Sequence, residues 1–541
     1  FYLTMGGSHQ WKGMAQRTML HMVTATAESA LQGAARKRVG QVSQLIKDLK
    51  AQIQKEMASG LPQEDLGALK KAIDKAGSEH VPFDQIIDKV SSEGRMKLMD
   101  TGSLNRKLSV LKGLESLYWT LSEGPTGIGR ARYGLAIHGE NNLQWAQEYP
   151  HNPFMVPTVI SSNQSSPELI SGIFQGQKTT ILNNVKLLRR AALEAKGKYN
   201  PVVHDEEIAQ LNWRDLAEEE KAQLAPIILV ADQNQIIANG AWNNLLLSED
   251  SIKIVALNNG DLPVSDQAPQ MVAQQASMLV SAISLKNAYV MQSGPADHSA
   301  LFNGLVEGLR TNTPALFVLN TPDKSVHTDE WKNWNSIADL TLRTRAHYQA
   351  KFKRENENSF LSNGIDLTTN PDHGKPWITE NVSCTDNGEA LETDRTLTWA
   401  DFAFTLKNWN DQFELIEDET ETVDVATYLS NGKSGTPAIT VVSDGELRRY
   451  SVSDLVVRTT EAVASGWHTL QEIAGALVPY PEKLRAEIEA ELKAEFDKEL
   501  ATEKTEMNKE LQEKEAQQVA VIRQRLKDKL VAMANQGRIK A

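Results

Sequence analysis

The stretch ILVADQNQIIANGAWNNLLLSEDSIKIVALNNGDLP, residues 228–263, decides the fold. An apolar run ends at Asp232, a turn and a helical pattern follow, and a second apolar run ends at the pair Asn258–Asn259, ahead of Gly260 and Asp261. Short apolar runs with a helix between them read as two buried strands of a parallel sheet. Ligands of such sheets bind outside the carboxyl ends of the strands. Asp232 and Asn259 belong to those ends.

Working outward, further runs of the same kind begin near Arg130: RYGLAIHG, FMVPTVISS, NAYVMQSG and PALFVLNTP. Helical stretches such as SPELISGIFQGQKTTILNNVKLLRRAALEA and SALFNGLVEGLRTN alternate with them. The expected class is therefore α/β, a parallel sheet with helices on both faces. Residues 1–124 read as a helical N-terminal region, from the three and four spacing in VGQVSQLIKDLKAQI and LNRKLSVLKGLESLYWTL. The α/β domain is expected over 125–345. Residues 346–470 read as its completion, interrupted by an irregular excursion rich in Asn, Asp, Gly and Thr. Residues 471–541 read as a long charged helical arm, whose Leu484, Ile488, Leu492, Phe496 and Leu500 recur every four residues.

At 541 residues with 40% hydrophobic content, the chain suffices for two to four domains. Its charge of -13 argues against a nucleic-acid backbone as partner. No run reaches the roughly 20 apolar residues a membrane span needs, and the opening residues lack a secretory pattern, so a cytoplasmic location without membrane contact is expected. Cys384 is the only cysteine and excludes an internal disulfide or a thiolate-held cluster from this chain alone. The chain starts at Phe1 with no initiating methionine, and the sequence leaves open whether it is a truncated product or part of something longer.

A diphosphate cofactor at strand ends needs N–H groups for its anion and a divalent cation with hard oxygen ligands. Asp232 follows PIILVA, and Asn259 ends IKIVALNN one helix and one strand later. That spacing resembles the thiamine-diphosphate fingerprint, in which Gly-Asp-Gly after one strand and Asn after the next hold magnesium on the cofactor diphosphate. The resemblance implies Asp232 and Asn259 as side-chain ligands of magnesium and Asp261 as a ligand through its carbonyl. The flanking glycines are replaced by Ala231 and Gln233, so Gln233 would lie against the diphosphate and the backbone approaches it less freely. The plain alternative is an inherited strand–helix–strand whose Asp and Asn cap helices and turns.

Wider blocks narrow the family. EGPTGIGRARYGLAIHGENNLQWAQEYPHNPFMVP, DHSALFNGLVEGLRTNTPALFVLNTPD, TRAHYQAKFKRENENSFLSNGIDLTTNPDHGKPW and TWADFAFTLKNW resemble, in that order, the thiamine-binding part of pyruvate:ferredoxin oxidoreductases across roughly residues 110–470. The resemblance implies oxidative decarboxylation of a 2-oxo acid, with electrons passing singly to an iron–sulfur cluster. Where the family carries a glycine-cysteine segment, this chain has His138, Gly139, Glu140, Asn141 and Asn142. No pyrimidine-binding domain is recognisable either. Two readings stay open: a cofactor-binding subunit completed by a partner chain that brings the pyrimidine domain and the clusters, or a catalytically silent scaffold paralogue in a homo- or hetero-oligomer. A third gives the site to another anionic ligand. In the scaffold reading, Gln233 fills the phosphate position. No residue is assigned a catalytic role.

Other residues have plainer readings. His138 and His298 are within reach of a strand-end ligand but are expected to be structural. Asp297 or Ser299 is expected to cap a helix, and GPTGIGRAR, with Arg130 and Arg132, to form a turn into the first strand, because its glycine spacing fits no phosphate loop.

Overall fold

The computed structural model describes residues 14–60 and 101–538, apart from 139–145, 147–153, 162–165, 323–325, 329–333, 357, 387–388, 417–421, 444 and 478–480. Residues 139–142, where the resemblance implies a lost cluster ligand, and the opening segment 1–13 lie outside the described residues, as does most of ASGLPQEDLGALKKAI. Two compact units are present, residues 1–476 and 477–541.

Each of the six apolar runs forms a strand: β1 (Gly134–His138), β2 (Thr158–Ser161), β3 (Ile227–Asp232), β4 (Ile252–Asn258), β5 (Tyr289–Ser293) and β6 (Ala315–Asn320). They pair in parallel in the order β2-β1-β3-β4-β6-β5. Two short strands, β7 (Ala350–Phe352) and β8 (Ile365–Asp366), extend the β5 edge in antiparallel sense. The chain is thus α/β with a largely parallel sheet.

Period-two alternation sends each strand's side chains into two cores. Leu229, Ala231 and Ile254 face Phe174 and Ile181 of α3 (Ser166–Ala195), Trp242 of α5 (Ala241–Leu247) and Leu279 of α6 (Ala268–Ser284). Ile228, Val230 and Val255 face Met19, Leu20 and Val23 of α1 (Met14–Gly60) and Leu301, Leu305 and Leu309 of α7 (His298–Arg310). Each such leucine contributes on the order of 2 kcal/mol of burial. Helix α1 therefore does two jobs. Its first half covers the sheet, and its second half packs Val42, Leu49 and Ile53 against α2 (Thr101–Ser122) and α3. Helix α7 lies close on β5 and β6 through glycine: a Cβ on Gly308 would sit 2.6 Å from Phe317 and Tyr289.

The segment read as irregular is more regular than its composition suggests. β9 (Ile378–Asp386) and β10 (Glu389–Leu397) form an antiparallel hairpin, which joins β11 (Phe413–Leu415), β12 (Thr422–Asp424), β13 (Thr436–Ser443) and β14 (Glu446–Val452) in a second sheet. One face of the hairpin is exposed at Thr379, Asn381, Ser383 and Asp394, while the other turns Ile378, Cys384 and Leu397 inward among half-buried polar residues, so the apolar alternation is sparse. Cys384 is buried within it. Trp377, Trp399, Trp409 and Phe402 form a third core, and α8 (Asp454–Ile473), capped by Ser453, returns Trp467 to the first. The second unit holds α9 (Pro481–Arg538), a single helix. Among the described residues no helix is long and apolar enough to cross a membrane.

Candidate functional site

The carboxyl ends of β3, β4, β5 and β6 open on a crevice of mixed polar and apolar lining. Strand pairing aligns Asp232 with Leu257, so Asn259 lies two residues beyond, on the neighbouring strand tip. The convergence expected of these two residues is present in the backbone. Their side chains, however, are engaged locally. Asp232 accepts from the Asn234 backbone N–H (3.0 Å) as the N-cap of α4 (Gln233–Ala238), and Asn259 accepts from the Asp261 N–H (3.1 Å). Asp261 itself is exposed.

Gln233 has a different place. It is buried at the mouth of the turn, and its Oε1 accepts from Asn258 Nδ2 (2.7 Å), a bridge across the tips of β3 and β4. Asn258 Oδ1 in turn accepts from the Gly260 N–H (2.8 Å), which closes a turn that needs the left-handed conformation of Gly260 (φ +73°). Trp409 Nε1 and Asn408 Nδ2 both donate to the Leu262 carbonyl and fix that turn to the second-sheet region.

Below the tips are two small cavities of about 40 and 30 Å³. Each has room for a few waters, since one water needs about 10–15 Å³ on this measure. A cofactor pocket is usually of the order of 300–1,000 Å³. In this arrangement the residues present do not fit a diphosphate with its metal. Gln233 stands where a glycine would leave the backbone open, and the six-residue α4 has its Asn234 N–H already taken by Asp232. Among the described residues no cluster of three or more His, Cys, Asp or Glu side chains is arranged for a metal.

Three polar residues of the cavity walls come from strand ends that the sequence pattern contained without their being singled out. Asn258 and Asn320 end neighbouring strands in register, and Gln292 lies near the end of β5. Asn320 Nδ2 donates to Thr341 Oγ1 (2.8 Å), and Gln292 Nε2 donates to the Tyr348 carbonyl (2.9 Å). A strand that finishes on an amide was the available signal. Arg345 and His347 arrive from a distant segment, the start of the TRAHYQAKF block, in which no site residue was marked. Burial pushes the His347 imidazole down to about 4, so it is neutral near pH 7, and its Nε2 donates to the Ser293 carbonyl (3.1 Å). Arg345 is buried with φ +59°, its guanidinium 4.6 Å from the Trp467 ring centre and donating to the carbonyls of Pro371 and Asp372. Desolvation lowers it to about 10, which leaves it charged. The walls thus supply amides, a neutral imidazole, a fixed cation and the Asp261 carboxylate, among apolar side chains such as Val272, Phe402 and Val463.

The remaining candidates take structural places. His138 is buried at the end of β1, 2.9 Å from Ser166 Oγ and edge-on to Trp242. His298 is exposed at the start of α7, where Asp297 caps Ala300 N–H (2.9 Å) and Ser299 is exposed beside it. Arg132 pairs with Glu28, and Arg130 donates to Gln177 Oε1 (3.4 Å). Gly124, Gly127 and Gly129 all adopt positive φ in the turn before β1. No known protein family and no curated protein matches the chain.

Proposed function

We propose that the chain is a thiamine-diphosphate-fold subunit of a pyruvate:ferredoxin oxidoreductase-like assembly whose own diphosphate position is closed. It serves that assembly structurally, and other chains carry the cofactor, the clusters and the oxidative decarboxylation of the 2-oxo acid. The observation that carries this reading is the Gln233–Asn258 bridge, which joins the two strand tips where the resemblance implies phosphate and magnesium. The ordered sequence blocks support the family, and the helix and turn caps made by Asp232 and Asn259 support the retirement of the site.

A second reading rests on one specific fact: Asp232 and Asn259 sit on adjacent strand tips and are only half-buried. In that reading thiamine diphosphate and magnesium bind after a partner chain displaces Gln233. Thermal unfolding of the full chain with thiamine diphosphate and Mg²⁺ separates the two. The closed site gives no change in Tm for the chain alone, and in the assembly the cofactor-dependent rise, which then belongs to the partner chains, is the same for the parent chain and for Asp232→Ala. A ligand present at a hundred times its Kd would add about 2.7 kcal/mol, and a rise of that size requiring both cofactor and metal, in the chain alone or lost with Asp232→Ala in the assembly, would overturn the closed-site proposal.

A further inference from the structure

Helix α9 leaves apolar side chains exposed to solvent in two clusters at four-residue spacing, one toward each end. Ile488, Leu492, Phe496, Ile522, Leu526 and Leu530 are 48–65% exposed. A largely polar helix of this length is normally stabilised by packing a narrow apolar stripe on a partner. Two features of the helix specify which partner.

The first is charge. From Pro481 to Glu515 the helix carries twelve acidic and seven basic residues, whereas from Ala516 to Arg538 it carries five basic residues and one acid, Asp528. The second is symmetry of the seam about Lys509. Ile488 and Leu530 lie twenty-one residues to either side, Leu492 and Leu526 seventeen, and Phe496 and Ile522 thirteen. Met507 and Leu511 flank the centre, while Lys509 points away from them, because residues two apart on a helix lie on opposite sides.

We propose that α9 docks antiparallel on α9 of a second copy of this chain, with the two-fold axis at Lys509. Such an interface is isologous, and each seam residue meets its symmetry mate's counterpart: Ile488 packs on Leu530, Leu492 on Leu526 and Phe496 on Ile522. Glu487, Glu491 and Glu495, spaced by four on one flank, then face Arg525 and Lys529 of the second copy. A parallel pair would instead set the acidic half against itself. Seam steps of four exceed the 3.6-residue turn, so the two helices follow each other with a right-handed wind. This inference does not depend on what the α/β unit binds.

The test uses the full chain. Sedimentation should show a dimer at micromolar concentration. The triple variant Glu487→Lys, Glu491→Lys, Glu495→Lys should raise the dimer Kd at least tenfold at low salt, and adding Arg525→Glu and Lys529→Glu should restore it. Variants Leu492→Cys and Leu526→Cys should form a disulfide with each other when mixed and not when each is oxidised alone. Cys384 is buried, and the parent chain supplies the background. A monomeric parent chain, a dimer indifferent to the charge reversals, or efficient self-cross-linking of either cysteine variant alone would each overturn the proposal.

Discussion

Replacing Lys253 by methionine probes how a charge is held inside the parallel sheet. Lys253 is fully buried in β4. Its ammonium donates to the Thr311 carbonyl (2.8 Å), Thr311 Oγ1 (2.9 Å) and the Thr313 carbonyl (2.7 Å). Burial lowers its folded-state value from 10.5 to about 7. Between those values the unfolded chain binds more protons than the folded one, so unfolding free energy rises with pH. The penalty of the buried charge is complete below pH 7 and relieved as pH climbs toward 10.5. At about 1.4 kcal/mol per unit, the window is worth at most about 5 kcal/mol, of which up to about 3 falls between pH 6 and pH 9. These are ceilings, because three oxygens accept from the charged form. Methionine removes the titration and leaves the threonine carbonyls short of a donor at every pH, a constant cost. Urea unfolding of both proteins from pH 6 to pH 9 should therefore show the parent gaining stability relative to Lys253→Met. Parallel pH profiles would refute the reasoning.

Two further substitutions test packing. Gly308→Ala places a methyl group 2.6 Å from Phe317 and Tyr289 and should cost about 1–3 kcal/mol in urea unfolding, whereas Gly33→Ala, with open space around its Cβ, should be neutral or stabilising by up to about 1 kcal/mol. Arg345→Met removes both donors to the Pro371 and Asp372 carbonyls and the cation over Trp467, a loss of about 3 kcal/mol. Trp467 fluorescence should change with it, and Arg345→Lys should recover only part of the loss, because an ammonium lacks the planar fork.

The sequence by itself determined the six core strands, the helices between them and the long terminal helix. It did so because buried strands need continuous apolar runs and helices a three-to-four period, both readable within a few residues. It also placed Asp232 and Asn259 on neighbouring strand tips, since a short helical crossover joins the two strands, although that crossover holds two helices, α4 and α5, where the pattern suggested one. The tertiary structure alone decided what meets those tips. β6 inserts between β4 and β5, so Asn320 comes into register with Asn258 across more than sixty residues of chain. Arg345 and His347 reach the crevice after the chain has left the parallel strands, and Lys253 finds its acceptors in the loop before β6. Gln233 was visible as a departure from glycine, but its role as a bridge depends on the side chain of the adjacent strand. Long-range pairing and side-chain direction follow from the packing of whole layers, and a local pattern of residue types does not encode them.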